Sequence, residues 1–309
     1  MKFRSLIIAV VVLATLGGVL YWSQHRQPAE EDAASSTPAA PVIIKVDPAE
    51  VTELTIKQKE PVTLAKTAGK WQITQPKVYP ADQVAVAGLL STLSTLNADR
   101  VVEEKAGDRK PYGLDPPSVE LDITGKAHTT RRLLLGDDTP AGGDVYVAVA
   151  ADPRIFTIAS YNKSSLNKGL NDLRDKSLLT LSPDKVSRVE LTEKDQHMEF
   201  DRTKDGWQIL KPSPSPADGS AVDILVRSLT DAKMVLNATG DAAAEFARAT
   251  PMATAKLTGD SGTQTLEVRK NKDDYYAKSS TVAGTYKVDS AVGLALNKKV
   301  DDFRSKKKS

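Results

Sequence analysis

Three carboxylates close to a glycine pair are the first residues in the sequence whose types and spacing could do chemistry. Asp137, Asp138 and Asp144 surround Gly142 and Gly143, and carboxylate oxygens of this kind hold hard cations such as Ca²⁺. A solvated hairpin turn explains the same stretch, because glycine supplies turn dihedrals and aspartate favours turns. The turn is the favoured interpretation, so the sequence predicts no metal ligand here.

Residue types for nucleophilic or acid–base catalysis are scarce. The chain has no cysteine, and its three histidines are His25, His128 and His197. None of the histidines has a second ligand at metal-binding spacing, and no nucleophile motif occurs in its expected surroundings. We therefore expect no catalytic residue, no cofactor and no metal, and predict that the protein is not an enzyme. One alternative stays open, because two carboxylates suffice for glycoside cleavage.

A short loop rich in turn-forming residues is a candidate for contact with another molecule. Its members are Tyr112, Gly113, Leu114, Asp115, Pro116 and Pro117. Loops on a rigid scaffold carry many binding residues, but a glycine with two prolines also simply specifies a turn. Trp71 and Trp207 are predicted to be core residues rather than platforms for sugar stacking, since each shares a face with an isoleucine two residues later.

Composition bounds what these candidates can belong to. The chain has 309 residues, of which 40% are hydrophobic, and its 42 basic and 40 acidic residues give a net charge of +2. This length suits about two globular domains. The basic residues are spread along the chain, so no electrostatic footprint for nucleic acid is present. We expect no nucleic-acid partner.

The N-terminus has the pattern of a membrane anchor. Lys2 and Arg4 precede an uncharged run, Leu6–Trp22, which at about 1.5 Å per residue spans on the order of 25 Å, the short end of what crosses a bilayer core. A cleaved secretory signal is the alternative. The anchor is favoured, because the run ends without a pair of small residues at the spacing of a cleavage site.

These features predict the order of segments at the start of the chain. We expect a cytoplasmic N-terminus at 1–5, a transmembrane anchor in contact with the lipid bilayer at 6–22, and a flexible linker at 23–42. The positive-inside bias then predicts a single-pass protein of the inner (cytoplasmic) membrane, with its body periplasmic or otherwise outside the cytoplasm.

The rest of the chain repeats itself. Trp71 and Trp207 lie 136 residues apart, and the same offset relates Asp82 to Asp218 within two Pro-Ala-Asp stretches. A repeat of this period indicates a domain duplication, not a solenoid of short units. The predicted copies are residues 43–178 and 179–309.

Periodicity predicts the same elements in each copy. Alternating apolar residues such as Leu54 and Ile56 indicate strands of an antiparallel meander. Asp82 and Asp218 are good N-caps for one amphipathic helix, and further antiparallel strands and a short closing helix follow. The predicted fold class is therefore α+β, a tandem duplication of this unit behind an N-terminal transmembrane helix.

Several stretches together resemble the domain-of-unknown-function 4340 family. They are the Pro-Ala-Asp helix start, the Tyr112–Pro117 stretch, the Leu135-Gly136 hairpin and the closing Leu173-Arg174-Asp175-Lys176. The resemblance covers nearly all of the chain after the linker. It implies an envelope accessory role, since members often carry an N-terminal anchor and occur beside gliding-motility-type ABC transport components. The second copy departs from the pattern, with Ala249-Thr250-Pro251 in place of the Tyr112–Pro117 stretch.

Two classes of function follow. The leading hypothesis is a membrane-anchored, non-enzymatic cell-envelope accessory protein, the exported subunit of an ABC-type transport or gliding-motility-like assembly, with transporter components as partners. The alternative is a stand-alone module that binds cell-wall glycan or another envelope ligand. Co-purification with permeases favours the first, and retention on isolated cell wall favours the second.

Overall fold

The computed structural model describes residues 41–193, 196–238 and 240–305. The predicted N-terminus, the predicted anchor and residues 23–40 of the predicted linker lie outside the described residues. Within the described ranges, no helix is long and apolar enough to cross a membrane. The last two residues of the predicted linker are joined to the first unit by backbone pairing, since the Ala98 amide donates to the Pro41 carbonyl over 2.9 Å and Val42 pairs with Asn97.

The first part of the described chain alternates strands with a few short helices. Its elements are β1 Val51–Lys57, β2 Val62–Thr67, β3 Lys70–Gln75, β4 Tyr79–Pro80, α1 Gln83–Ser94, β5 Arg100–Glu103, a 3-10 turn Lys110–Tyr112, β6 Val119–Gly125, β7 Thr130–Asp138, β8 Asp144–Val149, β9 Ile155–Ala159, α2 Ser160–Leu166 and α3 Leu170–Leu173. We call this part the first unit.

The second part follows nearly the same order. Its elements are a 3-10 turn Pro183–Lys185, β10 Val186–Glu193, β11 His197–Thr203, β12 Gly206–Lys211, β13 Ser215–Pro216, α4 Gly219–Thr230, α5 Ala242–Arg248, β14 Thr250–Gly259, β15 Gly262–Asn271, β16 Asp274–Ser279, β17 Thr285–Val288, α6 Ser290–Leu296 and a 3-10 turn Val300–Phe303. We call this part the second unit.

Each unit forms one antiparallel sheet, and the strand orders match. The first sheet runs β4-β3-β2-β1-β6-β7-β8-β9-β5, and the second runs β13-β12-β11-β10-β14-β15-β16-β17. Apart from β5, every strand of the first sheet has a counterpart at the same place in the second. Antiparallel sheets with a few helices confirm the α+β class.

The landmarks of the sequence repeat occupy equivalent places. Trp71 and Trp207 lie on the third strand of their units and are 7% and 5% exposed. The Asp82 carboxylate caps α1 by accepting the Val84 amide at 3.0 Å, and the Asp218 carboxylate caps α4 in the same way. Such caps satisfy backbone donors that a helix start leaves unpaired.

The main core of each unit lies between one sheet face, here called the inner face, and the helices. In the first unit, Leu54, Ile56 and Ile73 on the sheet meet Val86 and Leu93 of α1. The second unit builds one equivalent cluster on the same face. Because successive strand residues point to opposite faces, the alternating apolar positions that predicted strands also define this face.

Some elements differ from the prediction. The closing helix was expected as one segment, but each unit ends in two short helical pieces, because Gly169 and Lys299 begin a second turn with its own backbone cap. Strand β5 and helix α5 were not predicted. His128 lies in the turn between β6 and β7 with φ of 56°.

The two units meet at Arg174. Its guanidinium lies 4.1 Å from the ring centroid of Tyr79 in the first unit. The same guanidinium donates to the Tyr286 hydroxyl of the second unit over 3.3 Å. Close by, the Met234 amide donates to the Lys176 carbonyl at 2.9 Å. One side chain therefore contacts an aromatic ring of each unit.

Candidate interaction surface

The predicted interaction loop lies on the outer face of the first sheet, opposite the main core. A 3-10 turn with Pro111 leads into Gly113, whose φ of 64° suits glycine. A Cβ at Gly113 would stand 2.3 Å from the Asp137 Cγ, and a Cβ at Gly136 would stand 2.1 Å from the Tyr112 carbonyl oxygen. The loop and the end of β7 are thus in direct contact, and glycine on both sides allows it.

Two loop residues anchor it to the sheet. Leu114 is 2% exposed and packs in a small outer cluster with Leu134, Ala148 and Ile155. The Tyr112 ring meets the Tyr146 ring edge to face at 5.0 Å, and the Tyr112 hydroxyl donates to the Glu103 carboxylate. This contact raises the pKa of Tyr112, because losing the proton would place two negative charges together.

The remaining loop residues are the accessible ones. Asp115 and Pro116 are exposed, and Pro117 is half-buried. Within the described ranges, the Asp115 carboxylate makes no hydrogen bond or ion pair with another side chain. The loop is therefore an anchored turn that presents two exposed residues, rather than a fully exposed segment.

A cavity of about 440 Å³ lies beside the loop. Its lining includes three carboxylates, Asp108, Asp115 and Glu120, and two guanidiniums, Arg109 and Arg132. This volume lies in the range of ordinary ligand sites. The mixed charges suit a polar partner rather than an apolar one.

Both guanidiniums are held in place. Arg109 donates to the Asp152 carbonyl at 2.6 Å, and Arg132 donates to the Asp122 carboxylate at 2.7 Å. Burial acts to raise the pKa of Asp122, but hydrogen bonds from Arg132 and Lys57 outweigh it and hold that pKa below its usual value. These charges are therefore already engaged, and their arrangement is fixed.

The second unit covers the same face differently. Helix α5 lies against β15, β16 and β17, and its Phe246 is 8% exposed. The Arg269 guanidinium lies 4.4 Å from the Phe246 ring centroid, while Asn271 donates to the Glu245 carboxylate at 2.7 Å. Where the first unit has a polar cavity beside a loop, the second has a packed helix.

The other sequence candidates take structural roles. The stretch from Asp137 to Asp144 comprises the end of β7, the turn after it and the first residue of β8, and Asp138 pairs with Lys163 at 3.0 Å. Among the described residues, no group of three or more His, Asp or Glu side chains is arranged to hold a metal ion. Trp71 and Trp207 are buried, as predicted, and the Trp207 indole donates to Asp223 at 2.9 Å.

The family model for a domain of unknown function (DUF4340) matches residues 71–215 and 207–308. The chain belongs to the DUF4340 family. Both matched regions begin at the equivalent tryptophans, Trp71 and Trp207, and the candidate loop lies inside the first. The resemblance seen in the sequence is thereby confirmed. No curated protein and no solved structure matches the chain.

Sequence reasoning missed the outer face as a distinct surface. For helix α5 of the second unit the sequence did contain a signal. Asp241 is a strong N-cap, and good helix formers follow it in the run Ala242–Arg248. For the first unit the signal is weak. Leu114 is a lone apolar residue among turn formers, and nothing in the sequence indicates that it packs under β7 and β8.

Proposed function

We propose that this protein is a membrane-anchored, non-enzymatic accessory protein of the cell envelope that acts through surface contact. The matched family model describes a domain of unknown function. The uncharged run at 6–22 supplies the anchor, and the duplicated body supplies a rigid support for a contact surface. The family resemblance implies the partner, a membrane assembly such as an ABC-type transporter.

One observation carries the choice of surface. The two units share an inner face. On the outer face, within the part of the chain that the structure describes, only the first unit presents an anchored loop with exposed Asp115 and Pro116 beside a charged cavity. Folding of both units requires only the face they share, so the face that differs is the candidate for a separate role. We therefore assign the partner contact to the outer face of the first unit.

A lack of catalysis fits the state of the ionisable groups. Burial is the main cause of the raised pKa values of Asp99 and Glu193, which lie in different units. Asp122, Asp152 and Glu199 have lowered pKa values, and each lies beside a cation that explains the shift. Ion-pair networks of this kind perturb pKa values without any catalytic role. These groups serve the sheet surface rather than a convergent reaction site.

The proposal is tested by affinity capture of the full chain from membranes in a mild detergent. Asp115→Lys reverses an exposed charge of the contact surface, and Asp205→Lys is the matched control in an exposed turn of the second unit. We expect membrane-protein partners to be lost several-fold for the first variant and retained for the second. Equal capture by both variants would contradict the assigned surface.

The alternative is an envelope ligand, since the cavity of about 440 Å³ could take a small polar molecule such as a glycan. Retention of the full chain on isolated cell wall, lost in Asp115→Lys and without any captured transporter component, would favour this function. Protease added to spheroplasts tests the location separately, because a body outside the cytoplasm is degraded while a short membrane-protected stub remains.

A further inference from the structure

A second cavity, of about 660 Å³, lies where the chain enters the first unit. We call it the entry cleft. Its apolar lining comes from the entering segment and the adjoining strands, and consists of Val42, Ile44, Val46, Val51 and Ile123. Ile44, Val51 and Ile123 are nearly fully buried. A concave, mainly apolar site of this volume is typical of places that bind small molecules.

Comparison with the second unit shows why the cleft is open. Val46 and Leu181 each stand five residues before the first strand of their unit. Leu181 is 4% exposed, and its Cδ2 lies 3.1 Å from the position a Cβ on Gly259 would take. At the equivalent Gly125, the nearest atom is the Glu50 carbonyl oxygen at 3.5 Å. The shorter valine therefore leaves unfilled a space that leucine fills in the second unit.

Charges surround this apolar floor. The rim carries three cations, Lys45, Lys126 and Arg131, and two carboxylates, Asp47 and Glu50. Lys126 pairs with Glu50 at 2.9 Å, and Arg131 donates to the Lys45 carbonyl. The Lys45 ammonium has no ion-pair partner within the described ranges. An apolar floor under a net positive rim matches an apolar chain that ends in an anionic group.

The location of the cleft indicates where such a molecule comes from. Val42 lines the cleft and is also the last residue of the predicted linker 23–42. A flexible chain of about 20 residues has a root-mean-square span of roughly 25 Å, so a bilayer that holds residues 6–22 lies within reach. This step rests on the membrane anchor of the proposed function.

We propose that the entry cleft binds one acyl chain of an anionic membrane lipid. The acyl chain lies against Val42 and Val46, which are accessible, above the buried Ile44, Val51 and Ile123, and the headgroup lies near Lys45. The second unit has no matching role, because Leu181 occupies the corresponding space. The entry cleft would thus hold the first unit close to the membrane surface.

The test uses the full chain in phosphatidylcholine nanodiscs that contain a small fraction of phosphatidylglycerol with a photoreactive acyl chain. After illumination, mass spectrometry locates the labelled peptides. We expect label on the peptides that carry residues 42–51 and 123–131. Val46→Leu, which copies the second unit, should lower this label several-fold, and the matched Leu181→Val should leave it unchanged. Lys45→Glu should remove the preference for phosphatidylglycerol over a photoreactive phosphatidylcholine.

A second arm separates this inference from the membrane anchor. A photoreactive fatty acid is added in solution to the full chain without a bilayer. If the anchor is absent but the cleft binds acyl chains, the nanodisc label disappears and the solution label at 42–51 remains. If Val46→Leu and Ala127→Phe, which blocks the rim, both label as the parent does, the inference is wrong. Label confined to residues 6–22 also overturns the inference. With a photoreactive amino acid at position 46, a crosslink to residues 1–40 or to a second copy overturns it as well.

Discussion

The two units keep the same inner face and differ on the outer one. Trp71 and Trp207, and the capping carboxylates Asp82 and Asp218, occupy equivalent places in sheets of matching strand order. Opposite them, the first unit carries a loop and a charged cavity, while the second carries helix α5. The shared face makes each unit fold, and the divergent face is where a separate role is to be sought.

The entry segments repeat this lesson at a finer scale. Val46 leaves a cleft open where Leu181 closes it. A difference of one side chain at equivalent positions therefore separates an open cleft in the first unit from a filled core in the second.

The largest expected effect is on the shared core. Leu93→Ala and Leu229→Ala remove fully buried side chains at equivalent positions, and each should lower the free energy of unfolding by about 2–5 kcal/mol, through lost burial and a residual cavity. Urea unfolding followed by far-UV circular dichroism measures the effect. A cost below about 1 kcal/mol at either position would show that the two cores are not equivalent.

The next largest effect is expected at the loop Tyr112–Pro117 of the first unit. Gly136→Ala places a methyl group against the Tyr112 carbonyl, so the loop must shift, and we expect a loss of about 1–3 kcal/mol. Gly107→Ala is the matched control, since no atom lies within 4 Å of its added Cβ. Proteolysis within residues 104–117 should become faster for Gly136→Ala alone. If both variants are cleaved at the parent rate, the loop is not anchored as described.

A smaller effect is expected at helix α4 of the second unit. Asp223 accepts from the Trp207 indole at 2.9 Å and from Arg202 at 2.6 Å, whereas the equivalent position in the first unit is Ala87. Asp223→Ala therefore gives the second unit the arrangement of the first and should cost about 1 kcal/mol. Intrinsic tryptophan fluorescence during urea unfolding measures the change. An unchanged midpoint would mean that the carboxylate is not needed to hold the indole.

The smallest effect is the dependence on acid. The pKa of Asp122 is held below its usual value in the folded state, so its ion pairs stabilise the protein above about pH 4, and this stabilisation is lost as the pH falls through the folded-state pKa. Asp122→Asn should flatten the fall in urea midpoint below about pH 4. Asp205→Asn, at an exposed turn, should follow the parent curve. A parent-like slope in Asp122→Asn would contradict the Arg132 and Lys57 pairing.

Much of the inner face could be predicted from the sequence. Alternation at Leu54 and Ile56 identifies a strand with one buried side, and Asp82 before an apolar helical pattern fixes where α1 begins. These signals are local, and each of them occurs in both copies of the repeat. They were confirmed because the packing they require involves neighbouring elements.

The outer face and the entry cleft depend on contacts that no local pattern records. Strand β5 pairs with β9 across more than 50 residues and has mixed polar character, so its place at the sheet edge cannot be inferred from Arg100–Glu103 alone. The cleft depends on whether one side chain reaches a glycine on another strand. Such fit is set by three-dimensional packing, and residue type alone does not give it.

The central claim is that the outer face of the first unit makes the partner contact. Its most direct test places a photoreactive amino acid at Asp115 of the full, membrane-anchored chain in cells, and at Ala247, an exposed residue of α5 in the second unit. We predict one discrete adduct with a membrane protein from position 115 and none from position 247. An adduct from position 247 with position 115 silent would contradict the claim and move the contact to the second unit.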